Sequence, residues 1–267
     1  MSPPIIYYYI NFLAKFYQGS SIPWFYRYVF VSIFDNRNES QLFFTFLSVF
    51  TVSVVRACNR KFDVGFILDS SASVSRDYQK EKDFIKAMAA SFQFHDDGPI
   101  AGVITFSTDA EISIKLSDHS MHNTNSFNKA VDQIDFMGKQ TRIDKALLLA
   151  KNELFTKANG GRDGIPKVLI MLVDGSQTQD TGSQNPITIA DELRDDDVAV
   201  YVVGIGPEVS DGEILLMAGN EPRNVFRANT FDILADKNFT DRVLNRICPG
   251  MFFKNAATIF KDAPDMV

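Results

Sequence analysis

A basic excess is missing from this chain. Lys and Arg number 27 against 33 Asp and Glu, for a formal net charge of -6 and a pI near 5.1. No Lys/Arg cluster forms a patch or stripe, which excludes a nucleic-acid partner, and the acidic balance itself reads as a solubilising surface. Also missing is a comfortable membrane span, which needs about 20 apolar residues; the charge-free run that stands out, 42–55, has roughly fourteen. There is no phosphate-cradling glycine-rich loop and no internal repeat. Cysteine is nearly absent. Only Cys58 and Cys248 occur, and by number alone they read as two free thiols.

What is present is ordinary for a folded protein: 45% hydrophobic and 22% charged residues exclude disorder along the whole chain. The composition breaks near residue 57. Residues 1–57 are crowded with aromatics, including the single Trp24, and keep no helical or strand period. Within them the run 42–55 (LFFTFLSVFTVSVV) suits the apolar core of a signal peptide, with Arg37 upstream and Val55-Arg56-Ala57 resembling a cleavage site. Cleavage after Ala57 is the expectation. A leader of this length is unusual, so an uncleaved anchor, which alone would bring a membrane into play, stays open.

From Cys58 onward strands alternate with helices. Continuous apolar runs predict buried strands over 62–68 (FDVGFIL), 100–106 (IAGVITF), 167–173 (KVLIMLV) and 199–205 (AVYVVGI). The period-two run 111–116 predicts an edge strand, and 224–227 a brief one. Helical spacing predicts helices over 76–94, 127–134, 143–158, 187–193, 213–218 and 239–247. Strands apolar throughout are covered on both faces, so the expected fold is α/β: a three-layer, doubly wound, mostly parallel sheet with helices on both faces. The domain runs from residue 58 to 248, followed by a tail, 249–267.

In an open parallel sheet, ligands sit beyond the carboxyl ends of the strands. The first strand ends in Asp69-Ser70-Ser71-Ala72-Ser73, the central one in Asp174-Gly175-Ser176, and the loop before the helix at 143 carries Gly138-Lys139-Gln140-Thr141. Two carboxylates and three hydroxyls therefore converge. They are hard oxygen donors, suited to magnesium, manganese or calcium, with no histidine or cysteine there to favour zinc. Ser71, Ser73 and Thr141 offer neutral oxygens; Asp69 and Asp174 ligate directly or through water. Mostly neutral ligands leave the cation electrophilic, with a position for an outside carboxylate. Taken singly, each piece has a plainer reading: Asp-x-Ser-x-Ser as a helix cap and Asp-Gly as a turn.

Residues 62–73, Thr141 with the following Ala146-Leu147, and Val173-Asp174-Gly175 together resemble the von Willebrand factor type A (vWA) family and its metal-ion-dependent adhesion motif, over about 190 residues. Lys139-Gln140 stand where the family often has glycines. The resemblance implies a vWA/Rossmann-like sheet with the metal site at the strand carboxyl ends. It implies a secreted matrix or adhesion module, not an enzyme, binding a matrix or cell-surface protein through an acidic residue of that partner. It also implies that Cys58 and Cys248 pair. The competing readings are a metal-independent matrix protein using another face, an intracellular assembly protein, and a magnesium-dependent phosphoryl-transfer enzyme. The last is disfavoured because Ser71 stands where a second Asp would be needed. Asn238-Phe239-Thr240 is a glycosylation sequon. His119 and His122 lie three apart in a polar loop with no third ligand nearby in the sequence, and His95-Asp96-Asp97 and Asp195-Asp196-Asp197 read as solvated connections.

Overall fold

Apolar seven-residue runs set the centre of the molecule. The computed structural model describes Cys58 and residues 60–248; the leader with its cleavage site and the tail lie outside the described residues. The elements follow in the order β1 (Asp63–Asp69), α1 (Tyr78–Phe92), β2 (Ile100–Phe106), β3 (Ala110–Ile114), α2 (Thr124–Asp132), α3 (Ile143–Leu149), β4 (Lys167–Val173), α4 (Pro186–Asp195), β5 (Val198–Ile205), α5 (Asp211–Met217), β6 (Val225–Ala228) and α6 (Lys237–Ile247). The strands form one six-stranded sheet in the order β3-β2-β1-β4-β5-β6. All neighbours are parallel except β3, which runs antiparallel at its edge.

Side chains alternate across the sheet as a strand requires. Val64, Phe66 and Leu68 of β1 join Ile170 and Leu172 of β4 in a core under α1, α2 and α6, with Phe84, Met88, Phe92, Phe127 and Phe239. Ile67 joins Leu169, Met171 and Val173 in a second core under α3, α4 and α5, with Leu147, Leu193 and Ile214. Two cores on the two faces make three layers, and explain why β1, β2 and β4 read as unbroken apolar runs.

The expected helix over 143–158 is interrupted. α3 ends at Leu149, and Ala150–Leu154 continue as a π-helical turn. Beneath it Gly65 and Gly102 face each other across the β1–β2 pair. A Cβ on either would come within 2.8 and 2.7 Å of the Leu154 methyls. The wider turn thus lays Leu154 on a patch of sheet that has no side chains, a tertiary fit that helical spacing alone does not carry.

At the amino end of the sheet, Asp63 is wholly buried. Its carboxylate accepts from Arg162 twice, from Nε at 2.6 Å and from the backbone N–H at 2.8 Å. The same guanidinium donates to the carbonyls of Phe62, Gly98 and Asp96. Cys58 and Cys248, whose Cα atoms are 6.1 Å apart, are joined by a disulfide that closes a span of 190 residues.

Candidate metal centre

The chain runs outward from β1 through β2 to β3, then crosses back to β4 on the other side of β1. The winding therefore reverses between β1 and β4, and the crevice at their carboxyl ends is where such sheets hold ligands. Asp69 is the last residue of β1, and Asp174 follows the last residue of β4.

The hydroxyls at the end of β1 are not used as helix caps. Ser71 precedes a one-turn 3-10 helix, Ala72–Val74, and Asp77 precedes α1, and neither side chain caps its helix. Ser71 Oγ instead lies 2.9 Å from Ser73 Oγ, and Ser73 Oγ donates to Asp174 Oδ1 at 3.0 Å. Asp69 Oδ1 accepts the Ser71 backbone N–H at 2.7 Å. Its other oxygen, Oδ2, is buried with no hydrogen-bond partner among the described residues. Asp69 and Ser71 are buried, whereas Ser73 is exposed, so the cluster opens to solvent from one side.

The loop carrying Thr141 is stitched onto the Asp69–Ser73 segment by its backbone. Gly138 N–H donates to the Ser70 carbonyl and Ala72 N–H to the Lys139 carbonyl, both at 2.8 Å. Met137 N–H donates to Ser70 Oγ. Gly138 takes φ +70° to make this turn, a conformation glycine adopts without penalty. Ser107, just beyond β2, receives Lys139 N–H and donates to the Gln140 carbonyl. Thr141 itself is clamped to Thr178: its N–H donates to Thr178 Oγ1, and its carbonyl accepts Thr178 N–H. Behind it, Arg142 forms a two-pronged pair with buried Asp144 and a second with Asp180. Asp144 also accepts Gln184 N–H, and its own N–H donates to Gln177. The departure at Lys139-Gln140 leaves both side chains exposed, and the loop is held through their backbone.

Electrostatically the site is starved of positive charge. Burial, and secondarily the charge of Asp174, push the Asp69 carboxyl up to about 7. Burial also raises Asp174. Sequence reasoning missed a third acid. Glu81, in the first turn of α1, is wholly buried with neither carboxyl oxygen in hydrogen-bonding geometry. Burial first, then the charges of Asp69 and Asp174, drive it well above the ordinary range, and the Asp69 backbone offsets this only in part. Ser70, Ser107 and Thr178 escaped notice for another reason: their partners lie about thirty residues or more away, beyond any local motif.

Asn238 of the sequon is exposed in the first turn of α6, while Thr240 is buried.

A doubly wound sheet with an oxygen-lined acidic crevice at its switch point defines a class of α/β domains that hold ligands beyond the carboxyl ends of their strands. The von Willebrand factor type A domain profile matches residues 63–240, and the chain belongs to that family. Among its relatives, von Willebrand factor A domain-containing protein 2 of Xenopus laevis is 26% identical over 73% of this chain and 23% of its own length. The human collagen alpha-6(VI) chain is 29% identical over 72% of this chain and 8% of its own. Among solved structures, proximal thread matrix protein 1 from the mussel byssus superposes with a TM-score of 0.66 at 25% identity, covering 72% of this chain and 49% of that one. A second structure of that byssal protein has a zinc-occupied metal-ion-dependent adhesion site. This chain thus spans less than half the length of each.

Proposed function

We propose that this domain is an extracellular matrix or adhesion module that binds a partner protein through a divalent cation, the partner supplying an acidic residue. The observation that supports it most is the donor set at the switch point. Ser71, Ser73 and Asp174 form one hydrogen-bonded chain, beside a buried Asp69 oxygen with no hydrogen-bond partner among the described residues. Buried polar atoms are nearly always partnered, and an unpartnered carboxylate oxygen among hydroxyls fits a hard cation such as magnesium, manganese or calcium. Ser71, Ser73 and Thr141 would hold it through neutral oxygens, with Asp69 and Asp174 supplying negative charge. Bound there, the cation would offer a coordination position that attracts a carboxylate from outside.

The relatives support a matrix setting, since a collagen chain and a thread matrix protein are among them. Export through the secretory route, with removal of the leader and glycosylation at Asn238, belongs to the same proposal and agrees with the joined Cys58 and Cys248. Catalysis is not part of the reading: Ser71 occupies the place where phosphoryl transfer would use a second aspartate.

The test uses calorimetry and a pull-down together. Asp174→Ala is expected to weaken magnesium and manganese binding at least about tenfold while the melting curve stays cooperative. Thr141→Ala is expected to lose capture from an extracellular-matrix extract in magnesium, as wild type does in EDTA. Full capture by a folded, metal-free protein overturns the mechanism and leaves the fold standing.

A further inference from the structure

The three histidines of the chain are His95, His119 and His122, and the fold gathers two of them around an acid that the sequence keeps apart. Asp118 and Asn123 bracket a single 3-10 turn. Asp118 accepts the Ser120 N–H, and Asn123 caps α2 by accepting the Ser126 N–H. A 3-10 turn has three residues per turn, so side chains three apart lie one above the other. His119 and His122 therefore share a face, with ring centroids 4.8 Å apart. The α1–β2 connection brings Asp96 against that face. Its Oδ1 lies 2.8 Å from His119 Nδ1 and 2.5 Å from His122 Nδ1. The two solvated connections meet here: the acid absent nearby in sequence arrives from 23 and 26 residues upstream.

We infer that Asp96, His119 and His122 form a second cation site, distinct from the adhesion crevice and selective for a transition metal of the zinc type. One ligand atom from each of the three falls within 4.8 Å of the others. Two imidazole nitrogens and one carboxylate oxygen are a common zinc set, and they select against magnesium and calcium. Zinc–ligand bonds of about 2.0–2.1 Å put tetrahedral donors about 3.3 Å apart, so the two contacts of Asp96 Oδ1, at 2.8 and 2.5 Å, open by less than about an ångström while the widest separation in the trio, up to 4.8 Å, closes by up to about 1.5 Å.

Two features mark His122 as held in place for this. Its side chain is only 6% exposed, and its Nε2 lies 2.8 Å from the Leu116 carbonyl oxygen. A carbonyl can only accept, so Nε2 carries the hydrogen. Nδ1 is left as the nitrogen facing Asp96 and the metal. A backbone carbonyl fixing the far nitrogen is the usual support of a metal-bound histidine. His119 and Asp96 are mostly exposed, which gives the ion an open path and leaves its remaining coordination to water. The Arg162 guanidinium engages the Asp96 carbonyl rather than its carboxylate. The site lies at the amino end of the sheet, next to the start of β2 and beyond the end of β3. A metal there would pin the α1–β2 connection to the loop before α2.

The experiment titrates zinc into the whole protein with magnesium in excess, so that the oxygen-lined crevice is blocked, and follows binding by calorimetry and the melting temperature. Wild type is expected to take up one zinc and to melt higher with it. His119→Ala, at an exposed position, and His122→Ala are each expected to lose at least about tenfold in zinc affinity and the zinc-dependent rise in melting temperature, whereas Asp174→Ala keeps both. No zinc uptake by wild type in magnesium overturns the assignment. So does equal affinity in His119→Ala, or uptake that vanishes in Asp174→Ala. Because the readout is zinc and not partner capture, failure of the adhesion reading would leave this result untouched.

Discussion

Two buried acids, Asp63 at the start of β1 and Glu81 in the first turn of α1, show how differently a carboxylate can be housed. Asp63 has a guanidinium and an amide on its oxygens, so its charge is matched where it is made. Glu81 is equally buried, yet its oxygens have no hydrogen-bond partner among the described residues. Leaving such a group unpaired costs about 1–3 kcal/mol, so Glu81→Met, which keeps the length and removes the polar atoms, is expected to stabilise the metal-free domain by roughly that amount. The pH dependence carries the same signature. The folded pKa values of Asp69, Asp174 and Glu81 all lie above their ordinary values of 3.8, 3.8 and 4.5. The folded state therefore binds more protons than the unfolded one between those values and the raised ones. Their contribution is present in full below about pH 4 and is lost as pH rises, for Asp69 through about 7. Urea unfolding in EDTA is expected to show the three acids favouring the fold more at pH 5 than at pH 8, with a shallower decline in Glu81→Met. An unchanged decline and an unchanged midpoint in that variant would show that Glu81 is solvated or paired after all.

At the level of elements, legibility followed how local the cause was. β2 and β4 have the bounds their apolar runs predict, because burial on both faces writes itself into every residue of such a strand. The Asp-x-Ser-x-Ser segment was legible because its spacing is contained in five residues. The break in α3 was not, because every residue from Ile143 to Leu154 tolerates a helix and the cause lies in Gly65 and Gly102 on other elements. Glu81 was hidden by a good local excuse: an acid in the first turn of a helix normally faces solvent and suits the helix dipole. The Asp96–His119–His122 cluster was hidden because one ligand sits on a different connection. The glycine pair offers the test at this scale. Gly102→Ala places a methyl 2.7 Å from Leu154 and 2.9 Å from the Ile114 carbonyl oxygen, and backbone on one side cannot yield as a side chain can. Overpacking of this kind costs about 1–3 kcal/mol. Denaturation should show Gly102→Ala destabilised by that amount, with Leu154→Ala restoring part of it in the double variant. Strictly additive losses would mean that Leu154 does not press on the glycines.

Across the whole molecule, the working parts are divided between the two ends of the sheet. The carboxyl ends hold the acidic crevice, where burial, and secondarily the charges of neighbouring acids, push the Asp69 and Glu81 carboxyls up. The amino ends hold the Asp63–Arg162 clamp and the histidine cluster. The disulfide ties the segment before β1 to the end of α6, and Cys58 N–H also donates to the Ser91 carbonyl in the last turn of α1. Both half-cystines are buried, Cys58 at 1% and Cys248 at 4% exposure, so the bridge is part of the core under α1 and α6. Closing 190 residues restricts the unfolded chain, and the loop-entropy relation gives about 5 kcal/mol for such a span, an upper value where the native state pays nothing for closure. A double Cys58→Ala, Cys248→Ala variant is therefore expected to unfold at lower denaturant by up to about 5 kcal/mol, with the packing of α6 loosened first. Because the crevice lies at the other end of β1, its magnesium affinity should change little at temperatures where the variant stays folded. Hydrogen exchange separates the two effects: faster exchange confined to α6 and the start of β1, with the Asp69–Ser73 segment protected as in wild type, is the expected pattern. Loss of protection at the crevice as well would mean that the bridge holds the metal site and not only the chain ends.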